Sequence, residues 1–234
     1  ADIFHDLKDI IKSFHNLLRL IPSDGRIIIN KNDLNIKKLL KIGFWSKVIS
    51  IDTKKTNGDF NLIKNNKYEI LVNKIKYKLS DNLIGHHNYS NAAAAIAVCS
   101  QLNINIKKQI KSLESFKGVQ KRMEFIGDFK GVKIYDDFAH HPTAIKAAIS
   151  AMTNKYKNQK LLTIFLPNSN SMHLGVHDDS LASSLKGSKN VLIITKSRSL
   201  KRLFKNNIKI NVIECKSQIG DYLISNNCFD NILI

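Results

Sequence analysis

Tyr135-Asp136-Asp137-Phe138-Ala139-His140-His141-Pro142-Thr143-Ala144 lies between the strand-like run Val132-Lys133-Ile134 and a helix-like run from Ala144 to Met152. Its polar residues therefore fall where a strand ends and a helix begins, the place where α/β sheets carry their chemistry. Two carboxylates and two imidazoles at such a corner can hold a nucleotide or a charged intermediate, because helix N-terminal amides and histidine rings both donate to phosphate or carboxylate oxygens. The aspartates also have a plainer reading, as a helix N-cap with a solvated neighbour.

Outward from this corner the pattern alternates. Strands are expected over Met123 to Phe129, Val132 to Tyr135, Leu161 to Leu166, Val191 to Thr195, Ile208 to Ile213 and Ile232 to Ile234, with helices over Thr143 to Met152, Asp178 to Leu185 and Ser217 to Ser225. Such alternation predicts a Rossmann-like α/β domain. No Gly-x-Gly-x-x-Gly fingerprint occurs, so a dinucleotide site is not expected. Upstream, apolar residues recur at helical spacing from Phe4 to Leu20, closed by Pro22. Arg26 to Asn30 reads as a buried parallel strand, Asp33 to Leu40 as a short helix and Val48 to Ile51 as the next strand. From Gly58 to Ser80 the period becomes two, which predicts a small antiparallel meander from which no chemistry is expected. Phe116-Lys117-Gly118-Val119 reads as a linker and divides the chain into domains 1–116 and 117–234.

Composition narrows the class. The chain has 234 residues, 43% hydrophobic and 24% charged, enough for two modest cores. A net charge of +18 first suggests nucleic acid, but the cations are mostly lysines spread along the chain, and only Arg19, Arg26, Arg122, Arg198 and Arg202 offer a bidentate fork. Cys99, Cys215 and Cys228 have no ligand-like spacing and read as reduced and mostly buried, as in a cytoplasmic protein. No apolar run approaches the roughly 20 residues of a membrane helix, and no signal segment is visible.

Two further blocks accompany the corner. Gly85-His86-His87-Asn88-Tyr89-Ser90-Asn91 opens an alanine-rich helix running to about Leu102, and Gly118-Val119-Gln120-Lys121-Arg122-Met123-Glu124 follows the linker. Alanine is the best helix former and lets a helix approach a sheet or a ligand closely. Asn88 and Asn91 are three apart on one face, and an amide offers the donor and acceptor that an adenine edge requires. Their alternative is helix capping, and that of Arg122 is a surface pair with Glu124.

In order and separation, the three blocks resemble the Mur ligase family of ATP-dependent amide-bond ligases. Asp-Asp-Phe-Ala-His-His-Pro-Thr-Ala-Ile is most similar to the branch that uses the murein tripeptide; the L-alanine branch usually has Tyr-Gly where this chain has Phe138-Ala139. The resemblance implies an α/β fold made of the back half of a P-loop-type central ATPase domain, with its small antiparallel meander, followed by a Rossmann-like C-terminal domain. It implies ATP and Mg2+, with His87, Asn88 and Asn91 on the adenine side and Arg122 meeting phosphate across the domain hinge. Asp136 would take a ribose hydroxyl or orient the nucleotide, and His140 and His141 would face the reacting or peptide-binding side. Arg122, Asp136, His140 and His141 are thus the catalytic candidates, and His140, His141, Asn168 and Ser169 the substrate-binding ones.

Pro167-Asn168-Ser169-Asn170-Ser171-Met172-His173-Leu174-Gly175 resembles the family's Glu-Pro-Arg-Ser-Asn-Thr-Met-x-Leu-Gly, with Leu166 in place of the acid and Asn168 in place of the arginine. That arginine would be the natural clamp for a carboxylate. The implied reaction activates the carboxylate of UDP-N-acetylmuramate as an acyl phosphate and joins it to the tripeptide L-alanyl-γ-D-glutamyl-meso-diaminopimelate in peptidoglycan recycling. Two alternatives stand beside it, ligation of L-alanine and a non-catalytic nucleotide-binding or interaction module. No Gly-x-x-x-x-Gly-Lys-Ser/Thr loop occurs in the chain, and the resemblance places that loop and the magnesium ligands before Ala1. The isolated chain is therefore expected to be inactive.

Overall fold

A computed structural model describes residues 3–167, 178–204, 210–226 and 228–234. The chain divides into two compact units, Ala1–Lys117 and Gly118–Ile234. Among the described residues no helix is long and apolar enough to cross a membrane.

The first unit begins with α1 (Leu7–Leu20). The apolar spacing already starts at Phe4, but the helix begins later because the Asp6 side chain accepts the N–H groups of Lys8 and Asp9 at 2.7 and 3.0 Å. Ile11 and Leu18 pack on Ile27 and Leu39, whereas Leu7, Phe14 and Leu17 of the neighbouring stripe stay exposed. After α1 come β1 (Arg26–Asn30), α2 (Leu34–Leu40, capped by Asp33) and β2 (Lys47–Asp52), with β1 and β2 parallel and Ile28 opposite Ile49. Then β3 (Phe60–Lys64) pairs parallel to β2, and β4 (Tyr68–Val72) and β5 (Ile75–Lys78) extend the sheet antiparallel, in the order β1-β2-β3-β4-β5. Asn73 and Lys74 turn between β4 and β5 with φ of 49° and 65°, matching the two-residue hairpin turn that follows strand twist.

The alanine-rich segment is α3 (His86–Gln101), followed by α4 (Ile106–Ser115). Ala93 and Ala97 of α3 are buried against Ile49, Ile51, Phe60 and Ile70 of the sheet, the close approach that small side chains permit.

At the carboxyl end of β2, Asp52 is 2% exposed and accepts hydrogen bonds from the N–H groups of Lys54 and Lys55 and from Asn32 Nδ2 at 2.8 to 3.0 Å. Burial alone would raise its carboxyl, but these donors outweigh burial and hold it below the usual carboxylate range. A carboxyl depressed in the folded state contributes stability that is present above its unfolded value near 4 and is lost as pH falls through the folded value. Asp52→Asn is therefore expected to cost about 1–3 kcal/mol at neutral pH and to flatten the acid limb of the stability curve, followed by urea melts between pH 3 and 7. An unchanged acid limb would contradict this account.

The second unit contains β6 (Glu124–Phe129), β7 (Val132–Asp136), α5 (Pro142–Lys155), β8 (Leu161–Phe165), α6 (Asp178–Leu185), β9 (Asn190–Ile194), α7 (Arg198–Phe204), β10 (Ile210–Ile213), a 3-10 turn (Lys216–Gln218), α8 (Ile219–Ser225) and β11 (Asn231–Leu233). The sheet runs β10-β9-β8-β11-β7-β6, parallel throughout except for the antiparallel β6 edge. Because β11 pairs with both β7 and β8, the α5 crossover passes over it. The last strand in sequence thus lies inside the sheet. Leu162, Ile164, Leu192, Ile194 and Ile232 form the core on one side, with Ile219, Tyr222 and Leu223 against them. α7 is absent from the sequence expectation: only Leu200 and Phe204 are buried, too few to show a helical period. The cysteines differ as well. All three are free, but Cys99 is half-buried and Cys215 and Cys228 are exposed.

Candidate functional site

The conspicuous stretch lies at the carboxyl ends of the second unit's parallel strands. β7 ends at Asp136, and the end of β11 secures it: Ile234 N–H donates to Tyr135 O at 2.9 Å and Asp137 N–H to Ile234 O at 2.8 Å. The chain then leaves the sheet through Phe138, Ala139 and His140 and enters α5 at Pro142.

Neither aspartate caps that helix. His141 does, in extended backbone geometry, with Nδ1 accepting the Thr143 N–H at 3.3 Å and lying 2.7 Å from Thr143 Oγ1. Proline in the first turn suits a helix start because its missing N–H would have no intrahelical partner there. With Nδ1 accepting, the neutral ring carries its proton on Nε2. His140 is exposed, its Nδ1 is 3.0 Å from Phe138 O, and its ring centre lies 4.9 Å from that of Phe138.

A cavity of about 630 Å³ opens at this end of the sheet. Lys121, Asp136, Asp137, His140, Thr163 and Lys216 are its polar lining, and Ile134, Ile164 and other apolar side chains line the rest. A mostly apolar pocket with a few converging polar groups is what a small-molecule site requires. The structure brings Asp136 and His140 together on this lining; His141 and Arg122 are not part of it.

Arg122 is exposed, and Glu124 turns elsewhere, accepting the Lys121 N–H at 2.8 Å. No ion pair holds the guanidinium among the described residues. Asn168 and Ser169 lie outside the described residues. The residue that sequence reasoning passed over is Asp137, whose Oδ2 accepts the Met123 N–H at 2.9 Å. β7 ends at Asp136, so Asp137 is the first residue beyond the strand, where its carboxylate can reach the backbone that leads into β6.

In the first unit, Gly85 precedes α3 at φ 88°, a conformation disfavoured for residues with a Cβ, and no side chain caps the helix. Asn88 therefore does not play the capping role; its Nδ2 donates to Ile84 O at 2.8 Å, and the residue is half-buried. His87 is also half-buried, while Asn91 is exposed one turn further on. His86 sits with Nδ1 3.3 Å from Tyr68 OH, and Tyr68 stacks on Tyr89 at 3.7 Å between ring centres. His86 is exposed as a residue, but partial withdrawal of its ring from water, then the nearby Lys64 and His87, lowers its affinity for a proton. Burial also pushes the Tyr89 hydroxyl up to about 12. Ring stacking and alanine packing thus set the start of α3, with Asn91 exposed.

Among the described residues no three His, Cys, Asp or Glu side chains are grouped to hold a metal.

Known proteins match both units in sequence and fold. Residues 1–99 match the Mur ligase middle domain and residues 121–225 the Mur ligase glutamate ligase domain. The UDP-N-acetylmuramate–L-alanyl-γ-D-glutamyl-meso-2,6-diaminoheptandioate ligase of Escherichia coli K12 is 36% identical over 83% of this chain and 43% of its own length. The UDP-N-acetylmuramate–L-alanine ligase of Caldicellulosiruptor bescii is 35% identical over 71% of this chain and 38% of its own length. The chain thus spans less than half the length of these curated relatives. Among solved structures, a murein peptide ligase from Psychrobacter arcticus superposes with a TM-score of 0.69 at 27% identity, covering 99% of this chain and 52% of that one. A MurF ligase from Thermotoga maritima in complex with ADP reaches a TM-score of 0.76 at 17% identity, covering 97% and 53%. Matched across both of its units, the chain belongs to the Mur ligase family.

Proposed function

We propose that this chain is part of an ATP-dependent amide ligase joining UDP-N-acetylmuramate to the tripeptide L-alanyl-γ-D-glutamyl-meso-diaminopimelate in peptidoglycan recycling in the cytoplasm. The observation that carries this reading is the Asp-Asp-Phe-Ala-His-His-Pro corner at the carboxyl end of β7, together with 36% identity to a ligase named for that tripeptide. Residues 1–116 would act as the later part of the central ATP-binding domain and 117–234 as the C-terminal domain. His87, Asn88 and Asn91 are proposed to hold adenine, Arg122 phosphate oxygens and Asp136 a ribose hydroxyl. His140, on the cavity lining, would meet the reacting or peptide side with Asn168 and Ser169, and His141 would act from its cap position.

The chemistry has two displacements. A carboxylate oxygen attacks the γ-phosphorus of ATP and ADP leaves; the amine of the acceptor then attacks the acyl carbon and phosphate leaves, with loss of the amine proton. Both steps depend on positioning and charge neutralisation more than on covalent chemistry by the protein. An exposed guanidinium can hold phosphate oxygens in bidentate fashion, and a half-buried carboxylate can accept hydrogen bonds from two hydroxyl groups.

Ligation of L-alanine is the second reading, favoured by the 35% identity to a ligase for that amino acid. A non-catalytic nucleotide-binding module is the third, favoured by Leu166 and Asn168 where the family has an acid and an arginine. The full-length protein, given ATP, UDP-N-acetylmuramate and either acceptor, is expected to form the tripeptide amide, detected by mass spectrometry, in large excess over the L-alanine amide. The 234-residue chain alone is expected to form neither. Preference for L-alanine would select the second reading, and no amide with any acceptor the third.

A further inference from the structure

Arg122 occupies an unusual piece of backbone. Gly118, Lys121 and Met123 all have positive φ, of 95°, 55° and 50°, so the arginine is flanked on both sides by non-glycine residues in the left-handed region. Such conformations persist only where the surroundings impose them. Here the surroundings are specific. Asp137 Oδ2 accepts the Met123 N–H at 2.9 Å, and the Phe138 N–H donates to Lys121 O at 2.8 Å. On the far side Glu124 Oε2 accepts the Lys121 N–H at 2.8 Å, and the Arg122 N–H closes the turn on Val119 O at 3.1 Å. Met123 is buried beneath the turn.

One backbone group before Arg122 and one after it are thus tied to the two residues that follow Asp136. We propose that Asp137 is a positioning residue: by holding the Met123 N–H it fixes the Arg122 turn on the corner that carries Asp136 and His140, so that guanidinium and corner engage the nucleotide as one unit. Both aspartates border the cavity, and Asp137 in addition holds the arginine's backbone in place. This inference rests on the phosphate role proposed for Arg122. A carboxylate one methylene too long would keep charge and acceptor but move the turn, and misplacement by about an ångström is costly where positioning is the main task.

The test is titration of the full-length protein with ATP and with adenosine. Arg122→Ala is expected to weaken ATP about ten- to hundred-fold, the scale of a lost charged hydrogen bond, with adenosine unchanged. Asp137→Glu should weaken ATP to a similar degree at an unchanged melting temperature, and the double variant should be no weaker than Arg122→Ala alone, since residues acting as one unit are not additive. Asp137→Asn, which keeps an acceptor at the same reach, should stay within about threefold of the parent. Exchange of the Met123 amide should quicken in Asp137→Glu and not in Asp137→Asn. If Asp137→Glu does not fold, Asp137→Ala takes its place in the cycle. A silent or fully additive Asp137 substitution beside an active Arg122→Ala overturns the positioning role and leaves the phosphate role standing. A silent Arg122→Ala removes the phosphate role and this inference with it.

Discussion

Leu192→Ala is expected to cost the second unit about 2–5 kcal/mol, the range found when a buried leucine is truncated and its cavity cannot collapse. Leu192 is 0% exposed, lies in the inner strand β9 and packs with Leu162, Ile164, Ile194 and Ile232, neighbours held in place by their own strands. A domain's whole margin is about 5–15 kcal/mol, so this single change could remove a third or more of it. The effect should reach function, because β11, one of the strands that lose packing, secures the end of β7 through the Ile234 bonds to Tyr135 and Asp137, and the corner with Asp136 and His140 follows directly. The first unit has its own core around Ile49, Ile70, Ala93 and Ile96. Hydrogen exchange should therefore show lost protection in β8, β9 and β11 with α3 unaffected. A loss below about 1 kcal/mol, or equal loss in α3, would contradict two separately packed units.

Much of this architecture was legible in the sequence because the responsible forces are local. The β-branched run Arg26 to Asn30 and the period-two runs up to Lys78 became strands as read. The alanine stripe became a helix pressed on a sheet. What remained hidden depended on partners distant in sequence. The start of α1 was decided by which side chain could cap, and Asp6 won over the apolar signal at Phe4. β11 could be recognised as a strand, but its place between β7 and β8 could not be read from Asn231-Ile232-Leu233. α7 was lost because a helix lying on the surface with two buried residues has almost no periodicity.

The site shows the same division. The motif located the corner, but not the work within it. An aspartate was the obvious cap, yet His141 serves, because Phe138, Ala139 and His140 separate the aspartates from the residue that opens α5. Asp137 spends its carboxylate on Met123, a contact across fourteen positions of sequence. Asn88 bonds back to Ile84, as a helix-start amide can, and the more open amide is Asn91. Asn168 and Ser169 lie outside the described residues, so their peptide-binding role is carried by the resemblance alone.

The second large expectation concerns the order of bond making. If the carboxylate is activated by phosphorylation, one of its oxygens must become the bridge of an acyl phosphate and depart with the phosphoryl group when the amine attacks. Nothing in hydrolysis of ATP by water would move that atom. The measurement is the transfer of 18O from UDP-N-acetylmuramate labelled in its carboxylate to inorganic phosphate, made with the full-length protein, ATP and the tripeptide. One labelled oxygen should appear in phosphate for each amide formed, and none when UDP-N-acetylmuramate is left out of the labelled pool. Amide formed alongside unlabelled phosphate, or ATP cleaved at the same rate with and without the tripeptide, would contradict the acyl-phosphate ligase.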